Sequence, residues 1–208
     1  MYGAIIGDIV GSRFEFSRRF PEKEFGLFTK ESRWTDDTVM TVAIAEALME
    51  VGLEASVEAI ENGCVRATAN VTHNHPEGIK GAECTASIIY MARNGSSKGE
   101  IADYIIKEFG YDFTESLEEM RNRNTHAATC QDSLPKAIRS FMAGENYEDV
   151  IRNAISLGGD TDTLAAIAGA MAEAFYGIPE ELKDKCRARV EADMLKVLKD
   201  FDGLLERG

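Results

Sequence analysis

Gly3, Gly7 and Gly11 stand four residues apart in the opening run YGAIIGDIVG, and that spacing constrains the chain more than any other feature. On a helix, residues four apart share a face, so the three glycines form a smooth stripe along which another helix can approach closely. The run is too short to cross a bilayer, and Asp8 interrupts it. A second segment, TLAAIAGAMAEAF from Thr163, is rich in Ala and Gly and suits a tightly packed helix at the centre of a bundle.

The rest of the chain keeps the helical period. Val39, Val42, Ala43, Ala45 and Leu48 mark one long helix. The spacing predicts others over Ala55–Val71, Glu77–Arg93, Lys98–Phe109, Thr114–Arg121, Leu134–Ala143, Tyr147–Leu157, Asp162–Tyr176 and Glu180–Phe201. Ser17 to Ser32, charged and aromatic with Pro21 and Gly26 as breakers, reads as a loop. No run alternates apolar and polar residues as a half-buried strand does. The expected fold is all-α, a compact orthogonal helix bundle. With 208 residues, 44% of them hydrophobic, and no Pro/Gly/Ser-rich linker, one domain over residues 1–208 is expected.

A formal net charge of -13 disfavours nucleic acid or an anionic membrane as partner, because both bind through Lys and Arg on phosphate. An anionic substrate would need local help, such as a metal ion. Cys64, Cys84, Cys130 and Cys186 lack CxxC spacing, and Met1 is not followed by a basic stretch and a long apolar core. The expectation is a reduced, cytoplasmic protein whose Cys64, Cys84 and Cys130 are buried structural thiols. The oligomeric state is not legible.

Two of the most apolar helices begin alike. Thr35, Asp36 and Asp37 precede one, and Asp160, Asp162 and Thr163 open the other. Helix capping explains one such residue per helix, since a Thr or Asp oxygen accepts from the free N–H groups of the first turn. Two acidic mouths facing each other would instead assemble four carboxylates and two hydroxyls, which repel one another unless cations sit among them. Hard ions, Mg²⁺ or Mn²⁺, suit oxygen-only donors. Gly158 and Gly159 permit the turn that lets Asp160 and Asp162 converge, and they allow close backbone approach. An EF-hand is excluded: counting from Asp160 puts Ala165 where Gly belongs and Met171 where the bidentate Glu belongs. No phosphate loop of the GxxxxGK[ST] or GxGxxG kind is present. In THNHPEGIKGAE, His73 and His75 lack the further Cys or His that a zinc site needs. A neutral, hydrogen-bonded His at a turn, with Pro76 starting the next helix, stands beside a purely structural turn.

Four pieces in order, GAIIGDIVGSRFEF, WTDDTVMTVAIAEAL, THNHPEGIKGAE with CQDSLPKAI after it, and SLGGDTDTLAAIAGAMAEAFYG, resemble the ADP-ribosylglycohydrolases over nearly the whole chain. The resemblance implies an all-α bundle holding two divalent cations, Mg²⁺ or Mn²⁺, in a cleft for the distal ribose of ADP-ribose. Thr35, Asp36 and Asp37 would be metal ligands on one side, and Asp160, Asp162 and Thr163 on the other, with Asp162 as the bridge. Glu15 would sit on a mobile segment and, with Asp160, act catalytically on ribose or water. His73, Gly158 and Gly159 would contact substrate, either an ADP-ribosylated protein or a small ADP-ribose-like molecule.

One departure stands out. The family's Gly-Asn-Gly loop, which cradles the diphosphate, lies between the Thr-Asp-Asp helix and the His-Asn-His-Pro turn, and here the chain reads as shortened between residues 50 and 65. Glu61, Asn62, Gly63 and Arg66 echo the loop only faintly. The resemblance therefore implies a metal-dependent hydrolase of the glycosidic bond in ADP-ribosyl or smaller ribosyl substrates. A catalytically silent module binding ADP-ribose or another nucleotide is the alternative, and a purely structural protein the third.

Overall fold

A computed structural model describes residues 1–15, 17, 21–51, 75–123 and 129–205. Its elements are α1 (Tyr2–Gly11), α2 (Asp36–Val51), α3 (Pro76–Arg93), α4 (Lys98–Tyr104) running into a π turn (Ile105–Phe109), α5 (Leu117–Arg123), α6 (Cys130–Ala143), α7 (Tyr147–Ser156), α8 (Thr161–Tyr176), α9 (Glu180–Arg187) and α10 (Ala192–Leu205). No strand occurs among the described residues, so the fold is all-α as expected. The expected helix Ala55–Val71 lies outside them.

Local chemistry explains where several helices start. Ser97 accepts from Glu100 N–H while the Glu100 carboxylate accepts from Ser97 N–H, a reciprocal cap for α4. The same exchange between Ser116 and Glu119 starts α5 at Leu117 rather than at Thr114. The imidazole Nδ1 of His75 accepts from Glu77 N–H at 3.2 Å, with Pro76 in the first turn of α3. His75 is therefore a hydrogen-bonded turn histidine.

Two boundaries differ from expectation. α6 begins at Cys130, four residues before Leu134, because the Thr129 carbonyl accepts from Asp132 and Ser133 N–H and the helix then runs through Pro135. The single helix expected over Glu180–Phe201 is two, broken where Arg189 N–H bonds to Cys186 C=O at 2.8 Å. The turn lets Leu182 and Cys186 on one side of it, and Leu198 on the other, all reach the core.

α8 is the central helix, packed against α1, α7, α6, α3 and α2. α1 lies along it at a distance only glycine allows. A Cβ at Gly7 would stand 2.0 Å from the Ala165 carbonyl oxygen, one at Gly3 would stand 2.2 Å from that of Gly169, and one at Gly11 would stand 2.6 Å from the Cα of Asp162. Small residues on α8 answer the glycine stripe on α1, and Ile5, Ile6 and Ile9 fill the core alongside. The end of α1 is thereby pressed onto the first turn of α8.

Between α1 and α2 the described residues form a strap with no helix or strand among them, held by three arginines. Arg121 donates to the Pro21 carbonyl, Arg152 to those of Lys23 and Phe25, and Arg13 to that of Gly26. The Arg13 guanidinium also lies over the rings of Phe14 and Phe25.

Candidate metal centre

α1, the strap and the Gly-Gly turn before α8 bring the two acidic mouths together. Gly158 and Gly159 adopt φ of 66° and 81°, the left-handed region, so the turn needs the glycines found there. Asp160 follows as the residue preceding α8, and its side chain caps nothing. The capping explanation therefore fails for Asp160. At the other mouth, the Thr163 hydroxyl on α8 donates to Asp37 Oδ2 at 2.9 Å, a direct link between the first turns of α8 and α2.

Two groups of carboxylates result, each with one oxygen per residue lying within 4.8 Å of the others: Asp8, Asp37 and Asp162, and Glu15, Asp160 and Asp162. Asp162 belongs to both. Of the expected ligands, Asp37, Asp160 and Asp162 stand in these groups and Thr163 touches them. Asp36 does not: it is exposed at the rim of the mouth. Consecutive helical residues point about 100° apart, which sets Asp36 off from Asp37, yet its charge still acts on both Asp37 and Glu15. Glu15, in the turn after α1, stands in the second group beside Asp160 and Asp162. His73 lies outside the described residues.

Asp8 was not anticipated as part of the site. It is fully buried in an otherwise uncharged helix, and its partners are Thr35 and Thr38. Oδ2 accepts from Thr35 N–H at 2.9 Å, from Thr38 N–H at 3.1 Å and from the Thr38 hydroxyl, while Oδ1 accepts from the Thr35 hydroxyl at 2.5 Å. The first turn of α2 is thus capped across the fold by α1. A single acid amid apolar residues was the available signal, but its partners lie 27 and 30 positions away.

Crowding shows in the acidities. Burial, then the charges of Asp8, Asp36 and Asp160, push the Asp37 carboxyl up to about 6, against the Thr163 hydrogen bond that favours its charged form. Burial first, then a shared hydrogen bond with Asp160 and the charge of Glu15, push Asp162 up to about 8. Glu15 is raised by burial and by Asp160. Only oxygen donors are present and carboxylates predominate, so the set fits hard divalent cations, whose charge would relieve the repulsion. Elsewhere, burial pushes the Cys84 and Cys186 thiols up to about 12, and Cys130 is half-buried with a raised pKa. The expectation of a buried thiol is met for Cys84, whereas Cys130, the first residue of α6, is only partly covered, and Cys64 falls outside the described residues.

The model of the ADP-ribosylglycohydrolase family matches residues 1–66 and 51–207. The chain belongs to that family. ADP-ribosylarginine hydrolase Tri1 of Pseudomonas putida (strain GB-1) is 27% identical over 115 residues, covering 53% of this chain and 31% of that protein. Human ADP-ribosylhydrolase ARH3 is 34% identical over 92 residues, covering 38% of this chain and 25% of that one. The matched stretch thus spans under a third of each of these two relatives. A solved structure, an ADP-ribosylglycohydrolase-related protein complex, superposes with a TM-score of 0.69 at 21% identity, covering 94% of this chain and 92% of that one, which establishes the fold. Among the described residues no helix is long and apolar enough to cross a membrane.

Proposed function

We propose that this member of the ADP-ribosylglycohydrolase family is a hydrolase of the N- or O-glycosidic bond in an ADP-ribosyl substrate, protein-bound or small, with two divalent ions, Mg²⁺ or Mn²⁺, as cofactors. The observation that carries the reading is the pair of carboxylate groups sharing Asp162 where α1, α2 and α8 converge. Thr35, Asp36 and Asp37 from one mouth, and Asp160, Asp162 and Thr163 from the other, would hold the ions. When bound, the ions supply Lewis-acid polarisation of the ribose diol and a water made nucleophilic at neutral pH.

The chain's own residues do the rest. Thr35 and Thr163 commit their hydroxyl hydrogens to Asp8 and Asp37, which leaves their oxygen lone pairs for the site. Asp160, with no helix bond to make, accepts a proton from the attacking water or orients it. Glu15, on the turn after α1, faces Asp160 and Asp162 and positions the ribose or the water. Gly158 and Gly159 carry no side chain between substrate and backbone, and His73 would line the same pocket.

The family model's match in two overlapping segments supports the reading that the chain is shortened between residues 50 and 65, where the family's diphosphate loop would lie. That favours substrates held chiefly through the ribose, and it is also the ground for the second reading, a binding module without turnover. Release of ADP-ribose from ADP-ribosylated arginine and serine peptides, with and without Mg²⁺ or Mn²⁺, decides between them. Metal-dependent release is expected. Binding of ADP-ribose without release from any ADP-ribosyl or ribosyl substrate would overturn the hydrolase.

A further inference from the structure

We infer that Asp8 is the positioning residue of this centre, holding Thr35 so that its hydroxyl oxygen, and not its hydrogen, faces the metal ligands; this rests on the metal-dependent reading above. Burying a carboxylate is expensive unless hydrogen bonds satisfy it, and Asp8 is fully buried with four donors, all from Thr35 and Thr38. A neutral side chain could have met the free N–H groups at the start of α2 at less cost. What only a carboxylate does is accept in every direction. Asp8 thereby forces both threonine hydroxyls to act as donors toward itself. An amide in its place could turn its NH₂ toward Thr35, whose hydroxyl would then accept and swing its hydrogen toward the cluster.

One oxygen of Asp8 lies within 4.8 Å of oxygens from Asp37 and Asp162, so Asp8 as a direct ligand is the rival role. The two roles differ in how Asp8 and Thr35 combine. If Asp8 acts through the Thr35 hydroxyl, removing that hydroxyl removes the reason for Asp8. If Asp8 is a ligand, its loss costs the same in either background and takes one ion with it.

The test is a double-mutant cycle of Asp8→Asn and Thr35→Val, read as Mn²⁺ affinity and stoichiometry by the electron paramagnetic resonance of free Mn²⁺. Asp8→Asn alone should weaken Mn²⁺ binding about 10- to 100-fold, the usual loss when a residue orienting a metal ligand is changed, with unchanged stoichiometry. In the Thr35→Val background it should cost no more than about twofold, which distinguishes coupling from additivity. Additive losses, or a stoichiometry reduced by one ion, would overturn the inference in favour of direct ligation. Should Asp8→Asn fail to fold, Thr35→Val alone decides: a loss of Mn²⁺ affinity of about 10- to 100-fold supports a metal-facing Thr35 oxygen held by Asp8, and unchanged affinity overturns it. A wild type that binds no Mn²⁺ removes the metal reading itself, and that result is visible before any variant is made.

Discussion

Replacing Gly7 by alanine adds one methyl group at the tightest point of the bundle. The new Cβ would lie 2.0 Å from the Ala165 oxygen, 2.3 Å from its carbonyl carbon and 2.7 Å from Ala166 N, against ordinary contacts of 3.4–4 Å. All three neighbours are backbone, and a Cβ has no rotamer through which to escape. α1 and α8 must part by more than about 1 Å, which loosens Ile5, Ile6 and Ile9 where they meet the core. Overpacking costs roughly 1–3 kcal/mol in ordinary cores, and a backbone clash belongs at or above the upper end. Alanine returns up to about 1 kcal/mol through its better helix propensity, so a net loss of at least about 2 kcal/mol is expected. Gly99, in α4, is the internal control: the nearest atom to its added Cβ is the Ser97 hydroxyl at 3.9 Å, and Gly99→Ala should be neutral or stabilising by up to about 1 kcal/mol. Urea denaturation of the three proteins with m held equal measures both. A Gly7→Ala protein within about 0.5 kcal/mol of wild type would refute the close approach of α1 to α8.

Four further outcomes concern the site. Mg²⁺ or Mn²⁺ should raise the melting temperature and chelator reverse it, with about 2.7 kcal/mol of stabilisation at a hundredfold excess over Kd; Asp162→Asn should abolish most of the response, and equal shifts in both proteins would leave only a structural role. The metal-free protein should lose stability as pH rises. The Asp37 carboxyl is raised, so its contribution is whole below its unfolded value of 3.8 and gone once pH passes about 6. Asp37→Asn should flatten that decline by about 2 kcal/mol between pH 4 and 7 in urea titrations, after allowance for partial exposure, and an unchanged slope would contradict it. Glu15→Gln should lower turnover about a hundredfold or more while metal-dependent stabilisation persists; a small stability loss with full turnover would instead mark Glu15 as structural. Calorimetry should find ADP-ribose little tighter than ribose 5-phosphate, and a gap above about a hundredfold, near 2.7 kcal/mol, would mean that other residues replace the missing cradle.

Helical periodicity carried the all-α fold because each helix buries one stripe, and a stripe is local information. Boundaries set by distant contacts were less visible. The break between α9 and α10 falls in a run that is helical in composition, and only its turn geometry explains the two directions. At the site, Asp37, Asp160 and Asp162 were legible because two helices repeat the same opening, whereas Asp8 looked like an interruption in an apolar helix. Its meaning depends on Thr35 and Thr38, brought near by packing alone. Asp36 shows the converse: adjacent to Asp37 in sequence, it stands exposed at the rim and outside both carboxylate groups, because a helix rotates each residue from the last.

The arginines that hold the strap grip carbonyl oxygens, which every amino acid possesses. Pro21, Lys23, Phe25 and Gly26 are recognised there by their backbone. At those four grips the path into Thr35 and Asp37 has some freedom from the identity of the side chain, limited where the Phe25 ring lies against Arg13 and Arg152 and where Lys23 pairs with Asp149. Loss of Arg152, which holds two of the four carbonyls, would revoke that freedom more severely than most substitutions within the strap itself.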